Sequence, residues 1–290
     1  MKKHLITTYI IMFSIVTLVN AQEDPAVKKN LNIIKNPAET SSMKIAAVKA
    51  LVKTKTKEVI PVFKDIIVDK KADPKLRIIA AESLLEFEKD GIDALVESAE
   101  DVFKNALLPT VKDGSLRWNN FEETEEPFIK ALMPVIGKTK DYRILFYLYI
   151  PITVKNTRLL CPEVLGQPGF RDAIPFLFSL TDSNEVKMRK AAMVALAKVK
   201  EPIVVPGMIE VLTTEKNAGV RIAAAKTLGE LGSIYFSNLK NGQYSDEERK
   251  KVLDNISKSI QTLEELRAKS FLDDEKKALD TVLKALKEKK

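Results

Sequence analysis

The chain has almost none of the residues on which most enzymes and metal proteins depend. Among its 290 residues there is one histidine, one cysteine and one tryptophan. The histidine, His4, falls in a stretch with the build of a secretory signal. Lys2 and Lys3 give it a positive start, Leu5 to Val19 is largely apolar, and Val19-Asn20-Ala21 is a small-residue exit ahead of Gln22-Glu23-Asp24. Cleavage after Ala21 leaves a chain with no histidine. Its single cysteine, Cys161, has no partner for an internal disulfide even in an oxidising compartment. Metal sites of His and Cys, Ser–His and Cys–His nucleophile pairs and histidine general bases are thereby excluded. No catalytic, metal-binding or cofactor-binding residue is assigned.

No cysteine lies beside Ala21, which argues against a lipid-anchored form of the signal. Its apolar run is too short, and too interrupted by Thr and Ser, for a comfortable span of ~20 residues. An uncleaved anchor is the alternative. The expectation is an exported chain, periplasmic or extracellular, with no integral membrane span after signal cleavage. Concentrated charge is also missing. The net charge is +7, or +5 without Lys2 and Lys3, and lysines alternate with acids as in Asp273-Asp274-Glu275-Lys276-Lys277. A nucleic-acid binder would show a clustered basic stripe. A weak basic balance leaves attraction to an anionic glycan or lipid surface open.

What the chain does have is repetition. Ala173-Ile174-Pro175-Phe176-Leu177 leads into Met188-Arg189-Lys190-Ala191-Ala192-Met193-Val194-Ala195-Leu196-Ala197. Val204-Val205-Pro206-Gly207-Met208 then leads into Val220-Arg221-Ile222-Ala223-Ala224-Ala225-Lys226-Thr227-Leu228-Gly229. The prolines are 31 residues apart. A period of that length means one supersecondary unit stacked on its own copies. Each unit reads as two helices, A and B. Earlier copies of helix B start at Met43 and Leu76, with a degenerate one at Thr157 that Pro162 should kink or shorten. From Met43 to Pro61, Thr157 to Pro175 and Met188 to Pro206 the step is 18 residues each time.

Packing explains the pattern. Alanine at the fifth helix-B position (Ala47, Ala80, Ala192, Ala224) lets neighbouring helices approach, and leucine at the ninth fills the space between layers. Proline near the start of helix A lacks only an N–H that would be unpaired there. The second position is basic in every copy: Lys44, Arg77, Arg158, Arg189 and Arg221. The expected role is a structural ladder, hydrogen-bonded to turn carbonyls or to an acid of the adjacent repeat. A catalytic arginine would not recur in every unit.

With its Val-Arg-x-x-Ala-Ala-x-x-Leu-Gly helix at 220–229, the chain resembles the HEAT-repeat family, in particular its short bacterial repeats related to the bilin lyases. The resemblance covers roughly residues 25–232. It implies an all-α chain, an α-solenoid of helical hairpins whose B helices line the concave side, and no shared active site. Members with bilin-lyase or DNA-glycosylase activity exist, and nothing here matches residues that would carry either chemistry.

The expected organisation is a signal at 1–21, a repeat array at 22–232 and a helical cap at 233–290. Between about 92 and 140 the register breaks. Ile92 to Leu108 and Pro127 to Gly137 read as helices, and the stretch between them as a loop inserted in one expanded repeat. Ser233 to Tyr244 reads as a loop, Ser245 as the cap of a long helix, and Phe271-Leu272 as the start of the last one. These last helices have too few apolar positions for a dimerising coiled coil, and nothing sets the oligomeric state.

Recognition has better candidates than catalysis. Arg117, Trp118 and Phe121 are residue types that dominate interfaces, and all three sit on the insertion. Tyr142, Tyr147 and Tyr149 form with Phe146 a run too dense to be wholly buried. The competing expectation is that Trp118 and Phe121 fold back over the gap the insertion makes. Cys161, at a position that alanine holds elsewhere, reads as a small buried hydrophobe. The acids at 122–126 lack the ligand spacing of a calcium loop. The sequence therefore points to a non-enzymatic scaffold for a protein or peptide partner. The alternative is a peripheral binder of an anionic envelope glycan or lipid through lysines.

Overall fold

A computed structural model describes residues 24–288 apart from 113–114, 149–150 and 153, and apart from the side chains of 108–120. The signal at 1–21 lies outside the described residues. The chain parts into two compact units between Ala94 and Leu95.

In the first unit, α1 (Pro25–Lys35) and α2 (Ser41–Thr54) form one hairpin, α3 (Ile60–Val68) and α4 (Pro74–Leu84) the next. Local chemistry sets where each begins. Thr40 Oγ1 accepts the Met43 N–H at 3.3 Å to cap α2. Asp73 Oδ1 accepts from Lys75 and Leu76 at 2.8 and 3.3 Å to cap α4, with Pro74 in its first turn. Helix α4 packs on α2, B on B. The fifth and ninth positions, Ala47 with Leu51 and Ala80 with Leu84, are buried. Phe63 meets Phe87 edge-on at 6.1 Å.

Helix α5 (Glu88–Ala106) crosses from the first unit into the second. It leads into strands β1 (Leu107–Lys112) and β2 (Ser115–Phe121), which pair antiparallel with Lys112 opposite Ser115 and an irregularity at Leu108/Pro109. The inserted stretch is therefore a hairpin and not a loop. Asp113-Gly114, between the paired ends, is a two-residue hairpin sequence, and Pro109 sits where the ladder slips. Helix α6 (Glu126–Gly137) follows.

The rest of the second unit alternates A and B helices. They are α7 (Ile144–Tyr147), α8 (Cys161–Leu165), α9 (Ile174–Thr181), α10 (Val186–Val199), α11 (Val204–Thr214), α12 (Ala218–Lys240), α13 (Asp246–Lys269) and α14 (Asp273–Glu288). Helices α6, α8, α10, α12 and α14 pack in succession as the B layer; α9, α11 and α13 do so as the A layer. The fold class is the all-α stack of helical hairpins, with one β-hairpin inserted.

Helix α8 is indeed shortened. Its first turn is 3-10 (Arg158–Leu160), and Pro162 lies in the first turn of the α-helical part. Residues 233–240, expected as a loop, continue α12 to Lys240. Gly229 within this helix is a contact surface: a Cβ there would lie 3.0 Å from Val282 of α14. Ser245 and Glu248 make a reciprocal capping box at the start of α13. Helix α14 starts at Asp273, two residues after the predicted start.

The B layer shares two further marks. Eleven residues beyond the second helix-B position the backbone turns to positive φ: Lys55 (53°), Glu88 (48°), Gly169 (77°) and Lys200 (61°). Lys140 (52°) does the same eleven residues beyond Ile129, which places α6 in the common register despite its unlike sequence. Eight residues beyond that position stands a small residue in the second unit. A Cβ on Gly137 would come within 2.8 Å of the Val164 carbonyl oxygen, and one on Gly166 within 2.9 Å of Ala195 Cα. Lys284 holds the corresponding place in α14. Bulk and charge there would hold off a close helix neighbour of the kind that Gly137 and Gly166 admit.

Candidate functional site

The arginine row occupies one edge of the B layer. Arg158 Nε and Nη2 reach Glu185, each at 3.1 Å. Arg189 Nε and Nη2 donate to Glu215 at 2.8 and 3.1 Å, and its Nη1 to the Ser183 carbonyl at 2.9 Å. Arg221 donates to both carboxylate oxygens of Glu275 at 2.6 and 2.9 Å, and to the carbonyls of Glu215 and Lys216. In the first unit the buried Arg77 donates from Nε to the Ile67 carbonyl at 2.8 Å. Lys44 makes no such bond among the described residues. Arg189 and Arg221 thus each tie their own turn carbonyls to an acid near the start of the next B helix through forked, charge-assisted bonds, while Arg158 reaches the acid and Arg77 the carbonyl. The Arg221 guanidinium holds the buried Glu275 carboxyl below its ordinary range, with help from the Ser270 hydroxyl and against the upward pull of burial. These cations are committed to structure.

The aromatic candidates separate. Phe121 is only 3% exposed and packs on Phe103 with ring centroids 6.4 Å apart. It anchors the base of the hairpin and is not open to a partner. The candidate partner-binding role of Phe121 is corrected in favour of the competing expectation, that it folds back: a large apolar ring where β2 rejoins the helices is worth more inside than out. The side chains of Arg117 and Trp118, and Tyr149 altogether, lie outside the described residues. Tyr142 is 57% and Phe146 65% exposed, one turn apart, whereas Tyr147 is half-buried. A hydrogen bond from Tyr147 to Glu100 raises the phenol above its ordinary range. Cys161 is buried, and burial pushes its thiol up, away from the thiolate a reactive cysteine needs. Among the described residues no group of three or more His, Cys, Asp or Glu could hold a metal ion, and no helix is long and apolar enough to cross a membrane.

The face with the strongest ligand chemistry carries no aromatic residue. It is made by residues one, five and nine places beyond the arginine position of successive B helices. In α10 these are Lys190, Val194 and Lys198; before it stand Leu159 and Glu163, and after it Ile222, Lys226 and Glu230. Val194 is 50% and Leu159 37% exposed. Together with Glu163, Lys190 and Lys198 they line a recess of about 300 Å³ between α8 and α10. Among the described residues Lys190, Lys198 and Lys226 form no ion pair. The signal was in the sequence as a four-residue spacing of lysine, valine and lysine on an otherwise alanine-rich helix. A second cleft of about 480 Å³ lies between the start of α11 and α13, with Ile203 and Tyr244 facing Glu248 and Lys251.

Residues 155–233, which hold the recess and two complete arginine pairs, match the model of the HEAT repeats. This segment is a HEAT-repeat array. A siderophore synthetase independent of nonribosomal peptide synthetases, from Rhizopus delemar, is 27% identical over 119 residues, 41% of this chain. The chain covers 17% of that relative's length. Among solved structures, human deoxyhypusine hydroxylase shares 11% identity at a TM-score of 0.38, covering 89% of this chain and 84% of that one. The CpcE–CpcF complex of phycocyanin lyase from Nostoc shares 16% at 0.38, covering 92% and 96%. Within the HEAT segment the B helices present Leu159, Val194 and the unpaired lysines on one face, while the arginines on the adjoining edge join one repeat to the next.

Proposed function

We propose that this chain is an exported, non-enzymatic scaffold that holds a protein or peptide partner on the B-helix face of its HEAT repeats. The observation that carries the reading is the exposure of Val194 and Leu159 over a recess, with Val194 at a position that Lys49, Glu82, Glu163 and Lys226 hold in the other arginine- or lysine-bearing B helices. An apolar side chain left half in water beside a recess gains about 25 cal/mol per Å² when a partner covers it. No set of convergent catalytic groups competes for that face, because the arginines beside it are bound to acids and carbonyls. Export rests on the signal at 1–21.

The test is site-specific photocrosslinking from position 194 in the native envelope, with a matched probe at the exposed Val68 of the first unit. A discrete protein adduct from 194 and none from 68 supports the reading. Equal, diffuse labelling from both would remove it. Mass spectrometry of the same material should find the chain beginning at Gln22.

A further inference from the structure

Resting on that reading, we infer that the partner segment is acidic and carries one apolar anchor, which enters the recess at Val194 between Lys190 and Lys198. The charge on this face is of two kinds. The arginines at the ladder position are neutralised within the fold by Glu185, Glu215 and Glu275. The lysines of the next row are not: Lys190 and Lys198 lie one helical turn either side of Val194, and Lys226 holds the place of Val194 on α12. Two unpaired cations thus line one apolar opening, and a third stands at the matching place on the next B helix. Carboxylates on both sides of a leucine-sized anchor would meet them.

The recess also argues for a peptide over a flat anionic surface. A volume of about 300 Å³ with an apolar floor takes a side chain, which a polyanionic glycan does not have. Its far wall is Glu163, whose carboxylate would repel a uniformly negative lipid surface. A peptide can set a neutral or basic residue there. Pairs between exposed charges are individually weak, so each lysine should contribute about fivefold at most, and that contribution should fade with salt. The anchor should contribute more, and should tolerate salt.

The experiment uses the full mature chain and fluorescein-labelled peptides followed by anisotropy. The first peptide has one leucine flanked on both sides by glutamates and aspartates. The second replaces the acids with lysines, and the third replaces the leucine with glycine. Phosphatidylglycerol vesicles are the fourth probe. Expected is binding of the first peptide at least about tenfold tighter than the second or third. The double variant Lys190→Glu, Lys198→Glu, with unchanged circular dichroism, should invert the preference between the first two. If the lysine peptide binds as well as the acidic one and Val194→Asp abolishes both, the acidic class is wrong and the docking face stands. If Val194→Asp leaves all peptide binding unchanged, or if vesicles bind and no peptide does, the inference and the docking face fall together.

Discussion

Helix α12 and helix α6 occupy equivalent places in the B layer and look unrelated in sequence. In α12 the fourth to sixth positions are Ala223, Ala224 and Ala225, after Arg221 at the second; in α6 they are Ala131, Leu132 and Met133, after Ile129. Both helices nevertheless bury their fifth and ninth residues. Both carry glycine eight places beyond the second position, and α6 is followed by the same positive-φ step that ends four other B helices. The repeat is therefore defined by where a neighbour must come close and where the chain must turn, more than by the alanine signature. The arginine row shows the same freedom. Four residues before Arg189 stands Glu185, the partner of Arg158; four residues before Arg158 stands Val154. Ile129 and Val154 are both buried, so both places of an ion pair are held by apolar residues, an exchange that costs little when both change together.

The sharpest way to break this comparison is to make the exchange by hand. Arg189→Ile alone should leave Glu215 nearly buried and unpaired, and cost about 3 kcal/mol by urea unfolding. Arg189→Ile with Glu215→Val should recover most of that loss, because both places are then apolar, as Ile129 and Val154 are, although the acid here stands six residues before Arg221 and Val154 only four before Arg158. A double variant no better than the single would mean that the two arrangements are not equivalent. The pairs also carry a pH signature. The folded pKa of Glu275 is depressed by Arg221, so its stabilisation is present above the unfolded value of about 4.3 and is lost as pH falls through the depressed folded value. Glu275→Gln should therefore flatten the stability profile in acid.

Next in size is the close approach of B helices. Gly166→Val forces a branched side chain toward the backbone of α10 and should cost about 2 kcal/mol or more. Lys284→Val, at the matching place on α14 where no further helix packs among the described residues, should change stability by about 0.5 kcal/mol at most. An equal loss at both sites would deny Lys284 its place at the end of the stack. The smallest effect should come from the turns. Lys200→Gly and Lys140→Gly each relieve a non-glycine positive φ and should stabilise by about 1 kcal/mol. A gain at Lys200 with a loss at Lys140 would separate α6 from the register assigned to it.

Much of this was legible in the sequence. The arginine at the second helix-B position announced its role by recurring, and its partners are the turn carbonyls and next-repeat acids that such a residue needs. The fifth-position alanines and ninth-position leucines are buried as packing required. What was hidden followed from the same physics without the signature. Helix α6 was legible as a helix over 127–137, but its place in the repeat was obscured because Leu132 and Met133 stand where alanine is usual. Its register survives only in Gly137 and Lys140, and glycine and lysine at the end of a helix look ordinary. The hairpin was hidden by its composition, although Asp113-Gly114 between short runs was a sufficient clue. The proposed docking face was less legible, because aromatic residues report burial and binding alike, as Phe121 shows. Val194 was less conspicuous and more informative: a branched apolar residue between two lysines on an exposed face has no structural employment.

The reach of Arg221 has a consequence for how the protein is made. Its carboxylate is supplied by Glu275, which is translated 54 residues later. As the chain emerges amino end first, α12 therefore appears while its Arg221 is still without its anion, and α13 and the start of α14 must follow before the pair can form. During this interval the half-finished array is open to chaperones and proteases. Loss of the last two helices, by a stop codon or a nick in the 241–245 turn, would strand that arginine permanently.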